Sequence, residues 1–450
     1  MKTLTAASLM LGLIMPFAAF AQNKIFPYKY FTDDLPNGLR VITIPTDYPN
    51  IVALYIVVGT GSRNEVEPGK SGFAHLFEHL MFRGTDKFPT AKYEEIMKKA
   101  GADSNAYTSD DRTVYHTVFS KEDLDQIMML EADRFQNLKV PIDLFKTETK
   151  AVLGEYNKNA ANPVVKLFEV MRDTAYDTHT YKHTTMGFLR DVENMPNMYE
   201  YSLDFFKRYY RPEYTTIIVS GDVKHENVSQ LVNKYWASWQ KGTYTPQIPS
   251  EAEQAEPRTG TVDWPTPTLP WVMVAFKCPP YSDEQKDHAA LDLIAALGFS
   301  QNSELYQRLV IKEQKVDSLF TDFEDHRDPY LVSIGARVKD PKDVDYVRNE
   351  IVKTCESFKT TPVQKDKLDA VKSNLRYSFA LGLDNSEAIA AGLAGYIALR
   401  RTPETVNKVY DLYASITPED IQAMAQKYFV EKHRTIVTLS HKENAKNAAK

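Results

Sequence analysis

His75, Glu78 and His79 stand in the order H-x-x-E-H within GFAHLFEHLMFRGT, Gly72 to Thr85. On an α-helix, residues four apart lie about 40° apart around the axis, and residues three apart about 60° the other way. The three side chains therefore share one face and project into one small volume. Two imidazoles one turn apart can chelate a single zinc ion. A carboxylate beside the second one can reach the metal's water without being a ligand. The pattern is the reverse of the commoner H-E-x-x-H. A histidine pair on a helix face is by itself more often structural or solvated, so the rest of the chain has to supply the missing parts.

A hydrolytic zinc site takes three protein ligands and keeps one position open. The third is expected on a neighbouring helix. The stretch after Pro141, from Ile142 to Asn159, reads as a long helix with Phe145, Val152 and Leu153 on its apolar side. Glu148 and Glu155 lie seven residues apart on its polar side, hence on one face. Glu155 is the best candidate for the third ligand, with Glu148 as a supporting carboxylate that orients a ligand. A solvated helix face would also account for either residue. Glu131 and Asp133 are weaker alternatives. His179 and His183, spaced H-x-x-x-H, invite a second metal reading, although the polarity of a loop that also holds Asp177 and Thr178 explains them as well. His116 alternates within a strand and reads as packed.

These residues need elements to position them. Asn37 to Asp47 reads as a turn and strand, and Ile51 to Glu65 as a buried strand leaving through glycines. Pro68-Gly69 and Ser71-Gly72 break the chain ahead of the H-x-x-E-H helix. Thr90 to Ala100 is expected to be an amphipathic helix with Thr90 as its N-cap. Asp103 to Ser109 and Thr113 to Ser120 read as strands joined by Asp110-Asp111-Arg112. Lys121 to Asn137, Pro196 to Tyr209 and His225 to Trp239 read as helices, and Thr215 to Val223 as a buried strand. Lys241 to Gly260 has no periodicity and is read as a linker, giving domains at 22–240 and 261–450. YYRPEYTTIIVSGD from Tyr209 is echoed by YFVEKHRTIVTLSH from Tyr428, 219 positions later. That echo suggests an internal duplication. The second half has only His288, His326, His433 and His441, without ligand spacing, so the chemistry belongs to the first half.

The 450 residues are too many for one ordinary domain. With 43% hydrophobic and 25% charged residues the composition is globular, and a net charge of −6 argues against nucleic acid as a partner. Lys2, the apolar run Leu4 to Phe20 and Ala19-Phe20-Ala21 read as a signal peptide over 1–21. Export to the periplasm of a Gram-negative bacterium is the expectation, with no stable membrane span after cleavage. Two cysteines, Cys278 and Cys355, are too few for a disulfide framework.

GSRNEVEPGKSGFAHLFEHLMFRGT, SNAYTSDDRTVYHTVF, ETKAVLGEYN, THTYKHTTMG and FFKRYYRPEYTTIIVSGDV together resemble the pitrilysin/insulinase family of zinc metallopeptidases, in its shorter branch. That branch includes mitochondrial processing peptidase and bacterial periplasmic processing-type proteases. The resemblance implies an α+β fold of two homologous α/β-sandwich domains, each a mixed sheet packed with helices, forming half of a clam-shell. It implies one Zn²⁺ per chain on His75, His79 and Glu155, with Glu148 in support. Glu78 would act as the general base on the zinc-activated water in a metalloendopeptidase. Asn105, Ala106, Tyr107 and Thr108 resemble the family's substrate-binding edge strand, which takes a short or unfolded peptide. Self-sufficient members carry an Arg and a Tyr seven residues apart in the second half, where this chain has Lys312 and Leu319. The expected partner is therefore a homologous second subunit supplying that pair in a heterodimer, with a homodimer as the runner-up. A different class of reading is a non-catalytic structural or assembly subunit of the same fold.

Overall fold

The computed structural model of the chain describes residues 24–441. The expected signal peptide at 1–21 lies outside them. Two mixed sheets form the frame. The first contains β1 (Phe31–Asp34), β2 (Arg40–Pro45), β3 (Ile51–Val58), β4 (Asp103–Thr108), β5 (Thr113–Ser120) and β6 (Thr215–Gly221), in the order β1-β2-β6-β3-β5-β4. The second contains β7 (Arg258–Trp264), β8 (Trp271–Cys278), β9 (Val316–Asp322), β10 (Tyr330–Val338) and β11 (Arg434–His441), in the order β7-β11-β8-β10-β9.

Without β1, the two orders are one topology. β2 runs parallel to β6 as β7 runs parallel to β11, and every other pair is antiparallel. The echo in the sequence falls on matching elements. Helices ending at Tyr209 and Tyr428 each lead through a 3₁₀ turn, Pro212–Tyr214 and Glu431–His433, into β6 and β11. The fold is thus a pseudo-duplicated pair of α/β sandwiches, the architecture of half a clam-shell.

Helices in the first half are α1 (Phe73–Leu80), α2 (Thr90–Lys99), α3 (Leu124–Asn137), α4 (Ile142–Ala160), α5 (Pro163–Ala175), α6 (Leu189–Asn194), α7 (Tyr199–Tyr209) and α8 (His225–Trp236). In the second they are α9 (Lys286–Phe299), the short α10 (Glu304–Tyr306) running into a π-helical turn at Gln307–Lys312, α11 (Val344–Thr360), α12 (Lys365–Leu381), α13 (Ser386–Arg400), α14 (Glu404–Ser415) and α15 (Pro418–Tyr428). Thr90 is not the cap of α2. Pro89 holds the N-cap place, and the Thr90 hydroxyl donates to the Arg83 carbonyl at 2.8 Å.

β3 is buried on both faces, which is why it reads as a continuous apolar run rather than an alternating one. Val52, Leu54, Ile56 and Val58 face the helices of the first half. Ala53, Tyr55 and Val57 face Ile389, Leu393 and Ile397 of α13, a helix from the second half. The exchange is reciprocal: Leu167, Met171 and Ala175 of α5 pack into the core of the second sheet. No helix or strand forms between Trp236 and Arg258, yet the packing does not separate at that stretch, because each half lends the other a helix.

A polar clasp closes the same junction. The β4–β5 turn puts Asp110 at 2.8 Å from both Arg172 Nη1 and Nη2, with Ser62 Oγ at 2.7 Å and His326 Nε2 at 2.9 Å. Asp111 accepts from the Tyr181 hydroxyl and the Arg327 backbone N–H, both at 2.9 Å. Burial opposes it, but the Arg172 guanidinium and His326 hold the Asp110 carboxyl well below the usual carboxylate range.

Candidate metal centre

α1 is short, and its placement depends on both ends. Its buried face, Phe73, Ala74, Leu76, Phe77 and Leu80, packs into the core of the first half. Gly72 precedes it at φ 93°, in the left-handed region that glycine enters without strain. A side chain there would also lie 3.0 Å from the Met186 carbonyl oxygen. Glu65 caps the start: its two oxygens accept from the Gly72 and Ala74 backbone N–H groups, each at 2.7 Å. A carboxylate at this end also meets the positive pole of the helix. Burial pushes the Glu65 pKa up to about 8, against the pull of those two donors.

The helix face then presents His75, Glu78 and His79 towards α4. His75 Nε2 and His79 Nε2 are 3.4 Å apart. Glu155 Oε2 lies 3.4 Å from His79 Nε2 and 3.7 Å from His75 Nε2. Donors at about 2.0–2.1 Å from a tetrahedral zinc ion are about 3.3–3.4 Å from one another. The observed triangle has that size, and it is the one group of potential metal donors of its kind among the described residues. Two nitrogens and a carboxylate oxygen are also the donor types that zinc takes in hydrolases. Burial, and then the neighbouring His79, push the His75 pKa down to about 4, so this ring is held neutral, the form that ligates metals. Its Nδ1 is buried without a hydrogen-bond partner, so packing fixes the ring.

Glu78 is held from β4. Its Oε2 accepts from the Thr108 hydroxyl at 2.6 Å. Burial raises its pKa, and the Thr108 hydrogen bond and the nearby His79 work against that. Glu148 is buried and meets Arg83 rather than a donor of the triangle: Arg83 Nη2 donates to Oε2 at 3.0 Å and Nε lies 2.9 Å from Oε1. The expected orienting of a ligand by Glu148 is therefore indirect. It ties α4 to the turn that ends α1, and so sets the spacing of the two helices that bear the donors.

The weaker third-ligand alternatives have other partners. Glu131 is buried against Arg134 and the Tyr93 hydroxyl, and Asp133 accepts from Thr85 and Asn137. His179 and His183 do not form a second metal pair. His179 Nε2 meets Asp328 at 2.9 Å while its Nδ1 accepts from the Tyr181 N–H, and His183 Nδ1 meets the Thr184 carbonyl at 3.0 Å. His116 is stacked on Tyr55 at 4.9 Å.

β4 lies at the edge of the first sheet and pairs only with β5. Strand alternation divides its residues. Asn105 and Tyr107 are exposed, Ala106 is buried, and the Thr108 hydroxyl is taken by Glu78. Thr108 can thus offer a ligand only its main chain, and the Ala106 N–H donates to Asn105 Oδ1 at 2.8 Å. In the second half, Lys312 is exposed and Leu319 is buried in the core. The residues that sequence reasoning passed over are Glu65, Arg83 and Asp110. All three lie within stretches quoted for the resemblance or beside the histidine motif; the partners of Arg83 and Asp110 are remote in the chain, whereas Glu65 reaches only seven and nine residues ahead, to Gly72 and Ala74.

The family described as insulinase (peptidase family M16) matches residues 40–188, and that described as peptidase M16 inactive domain matches residues 198–375. The zinc protease PqqE of Helicobacter pylori is 28% identical over 434 residues, covering 95% of this chain and 96% of that protein. The probable mitochondrial-processing peptidase subunit beta of Arabidopsis thaliana is 26% identical over 422 residues, covering 88% of this chain and 76% of that one. The crystal structure of a protease from Helicobacter pylori superposes with a TM-score of 0.86 at 28% identity, covering 92% of this chain and 99% of that one. The chain belongs to the insulinase family of zinc metallopeptidases, peptidase family M16.

Proposed function

We propose that this chain is a zinc-dependent endopeptidase acting on short or unfolded peptides. The observation that carries the reading is the donor triangle of His75, His79 and Glu155 beside a carboxylate, Glu78, fixed from β4. Those three residues would hold one zinc ion. When bound, zinc polarises a peptide carbonyl and acidifies water. Glu78 is placed to take the proton of the attacking water and return it to the leaving amine. Thr108 keeps that carboxylate aimed. A peptide joining the edge of the sheet as a further strand beside β4 would be drawn out beside the metal, with main-chain hydrogen bonds giving affinity. Tyr107 and the amide nitrogen of Asn105, whose oxygen accepts from the Ala106 N–H, are the side-chain groups available to it.

The reading extends to assembly. Leu319 has no hydrogen to donate and Lys312 lacks the bidentate fork of Arg, so a homologous subunit is proposed to supply an Arg and a Tyr across a shared chamber. A homodimer using other donors is the runner-up. We place the mature protein, residues 22–240 and 261–450 around the linker 241–260, in the periplasm. Among the described residues no helix is long and apolar enough to cross a membrane.

The test is native purification from the cell envelope with whatever accompanies it, followed by metal analysis and cleavage of an unfolded fluorogenic peptide. One zinc per chain with turnover that Glu78→Gln abolishes supports the reading. A metal-free protein without turnover returns it to the non-catalytic assembly subunit.

A further inference from the structure

A cavity of about 580 Å³, lined by none of the metal-centre residues, lies under the linker where the halves meet. Its walls are the linker from Ile248 to Gln254, the loop that holds His179, and the end of β8 from Lys277 to Pro280. Much of the lining is apolar, with Tyr176, Pro249, Pro279 and Tyr428 among it. Most of its polar groups are engaged. Glu251 accepts from the backbone N–H groups of Asp177, Thr178 and His179, at 2.8, 2.9 and 3.0 Å. Asp328 meets Arg63 and His179, and Glu253 meets Lys432 and His433.

Two groups in the wall are not satisfied in this way. Lys277 Nζ is buried with no acceptor, 3.1 Å from the centre of the Tyr176 ring. Gln254 gives its amide N–H groups to the carbonyls of Glu256, Lys432 and Arg434, which fixes its orientation and leaves Oε1 buried without a donor. An ammonium group shut away from water without an acceptor is costly unless it is paired. Burial accordingly pushes the Lys277 pKa down to about 7. Glu251 on one side opposes that, Arg258 adds to it, and Cys278 and Asp177 oppose it more weakly.

We propose that this cavity binds an apolar ligand carrying one carboxylate, and that Lys277 turns its amine off the Tyr176 ring to take that carboxylate. The lysine stem lines the wall, and its flexible four-carbon chain allows the amine to be re-aimed. Its three N–H donors are enough for both oxygens of a carboxylate. The carboxylate can belong to a small apolar acid or to the C-terminus of a peptide ending in an apolar residue. Binding restores the charge on Lys277, so it draws a proton from solution.

Isothermal titration of the mature full-length protein at pH 8, in two buffers of different ionisation enthalpy, reads both affinity and proton uptake. The probes are 4-phenylbutyrate and its amide, and N-acetyl-Leu-Phe with a free or amidated C-terminus. The expected result is one-to-one binding of at least one acid with uptake approaching one proton, and binding of its amide at least tenfold weaker. The acid that binds identifies the source of the carboxylate. Lys277→Met should remove both the acid preference and the uptake, and Lys277→Arg should keep the preference without the uptake. Equal binding of acid and amide, uptake that persists in Lys277→Met, or no binding of either acid overturns the proposal.

Discussion

Replacing Thr108 by Val removes one hydroxyl and keeps the branched shape that suits a strand. In the structure that hydroxyl donates to Glu78 Oε2 at 2.6 Å, a hydrogen bond to a charged acceptor. Such bonds are worth about 1.5–3 kcal/mol. If the bond acts by aiming Glu78 at the attacking water, its loss falls on the transition state. It should then lower kcat by about 10- to 150-fold, at about 1.4 kcal/mol per factor of ten, with KM little changed. The assay is cleavage of a fluorogenic unfolded peptide by the natively purified protein, with zinc content measured on the same samples. Zinc should stay at the wild-type level, because Thr108 touches no donor of the triangle. In a Glu78→Gln background the Thr108→Val change should cost little more, since the two residues act as one unit. A Thr108→Val variant with wild-type kcat, or one whose loss lies wholly in KM, would refute this reasoning and return Thr108 to a simple strand contact with substrate.

Other outcomes follow from the same geometry. Glu155→Gln, which weakens the third donor while keeping its shape, should leave the purified protein with well under one zinc per chain, read by elemental analysis. Glu65→Ala removes the cap of α1 and should lower stability by about 1–2 kcal/mol, together with zinc occupancy; a thermal melt unchanged from wild type would deny Glu65 that role. His326 is a pH-dependent part of the junction. Its Nδ1 faces the Glu324 carbonyl and its Nε2 faces Asp110, each at 2.9 Å, so both nitrogens must carry protons. Burial lowers its pKa, but Asp110 and then Asp111 raise it above the ordinary 6.5. Its stabilisation is thus complete below pH 6.5 and is lost as pH rises through the raised value. The stability gap between wild type and His326→Leu, followed by thermal melts, should be widest below pH 6.5 and shrink in alkali. A gap that grows with pH would contradict the assignment.

Local rules made much of this molecule legible in its sequence. Helical spacing put His75, Glu78 and His79 on one face, because the period of a helix is fixed by its backbone and needs no partner. Seven-residue spacing did the same for Glu148 and Glu155. The β-branched runs marked β3 and β6, and the echo 219 positions apart marked the duplication because matching elements repeat matching patterns. Sequence reasoning went astray or fell silent where a residue's meaning depends on something far along the chain. Glu148 read as a ligand's support, and its partner proved to be Arg83, 65 residues away. Thr108 read as part of the substrate strand, and only the seating of α1 against β4 turned its hydroxyl to Glu78. The Asp110-Asp111 pair read as a turn, and the folded chain uses it to join the halves through Arg172, His326 and Tyr181. The exchange of α5 and α13 was hidden for the same reason. An amphipathic helix shows that it has a face to bury, but which sheet receives that face is decided by the whole path of the chain.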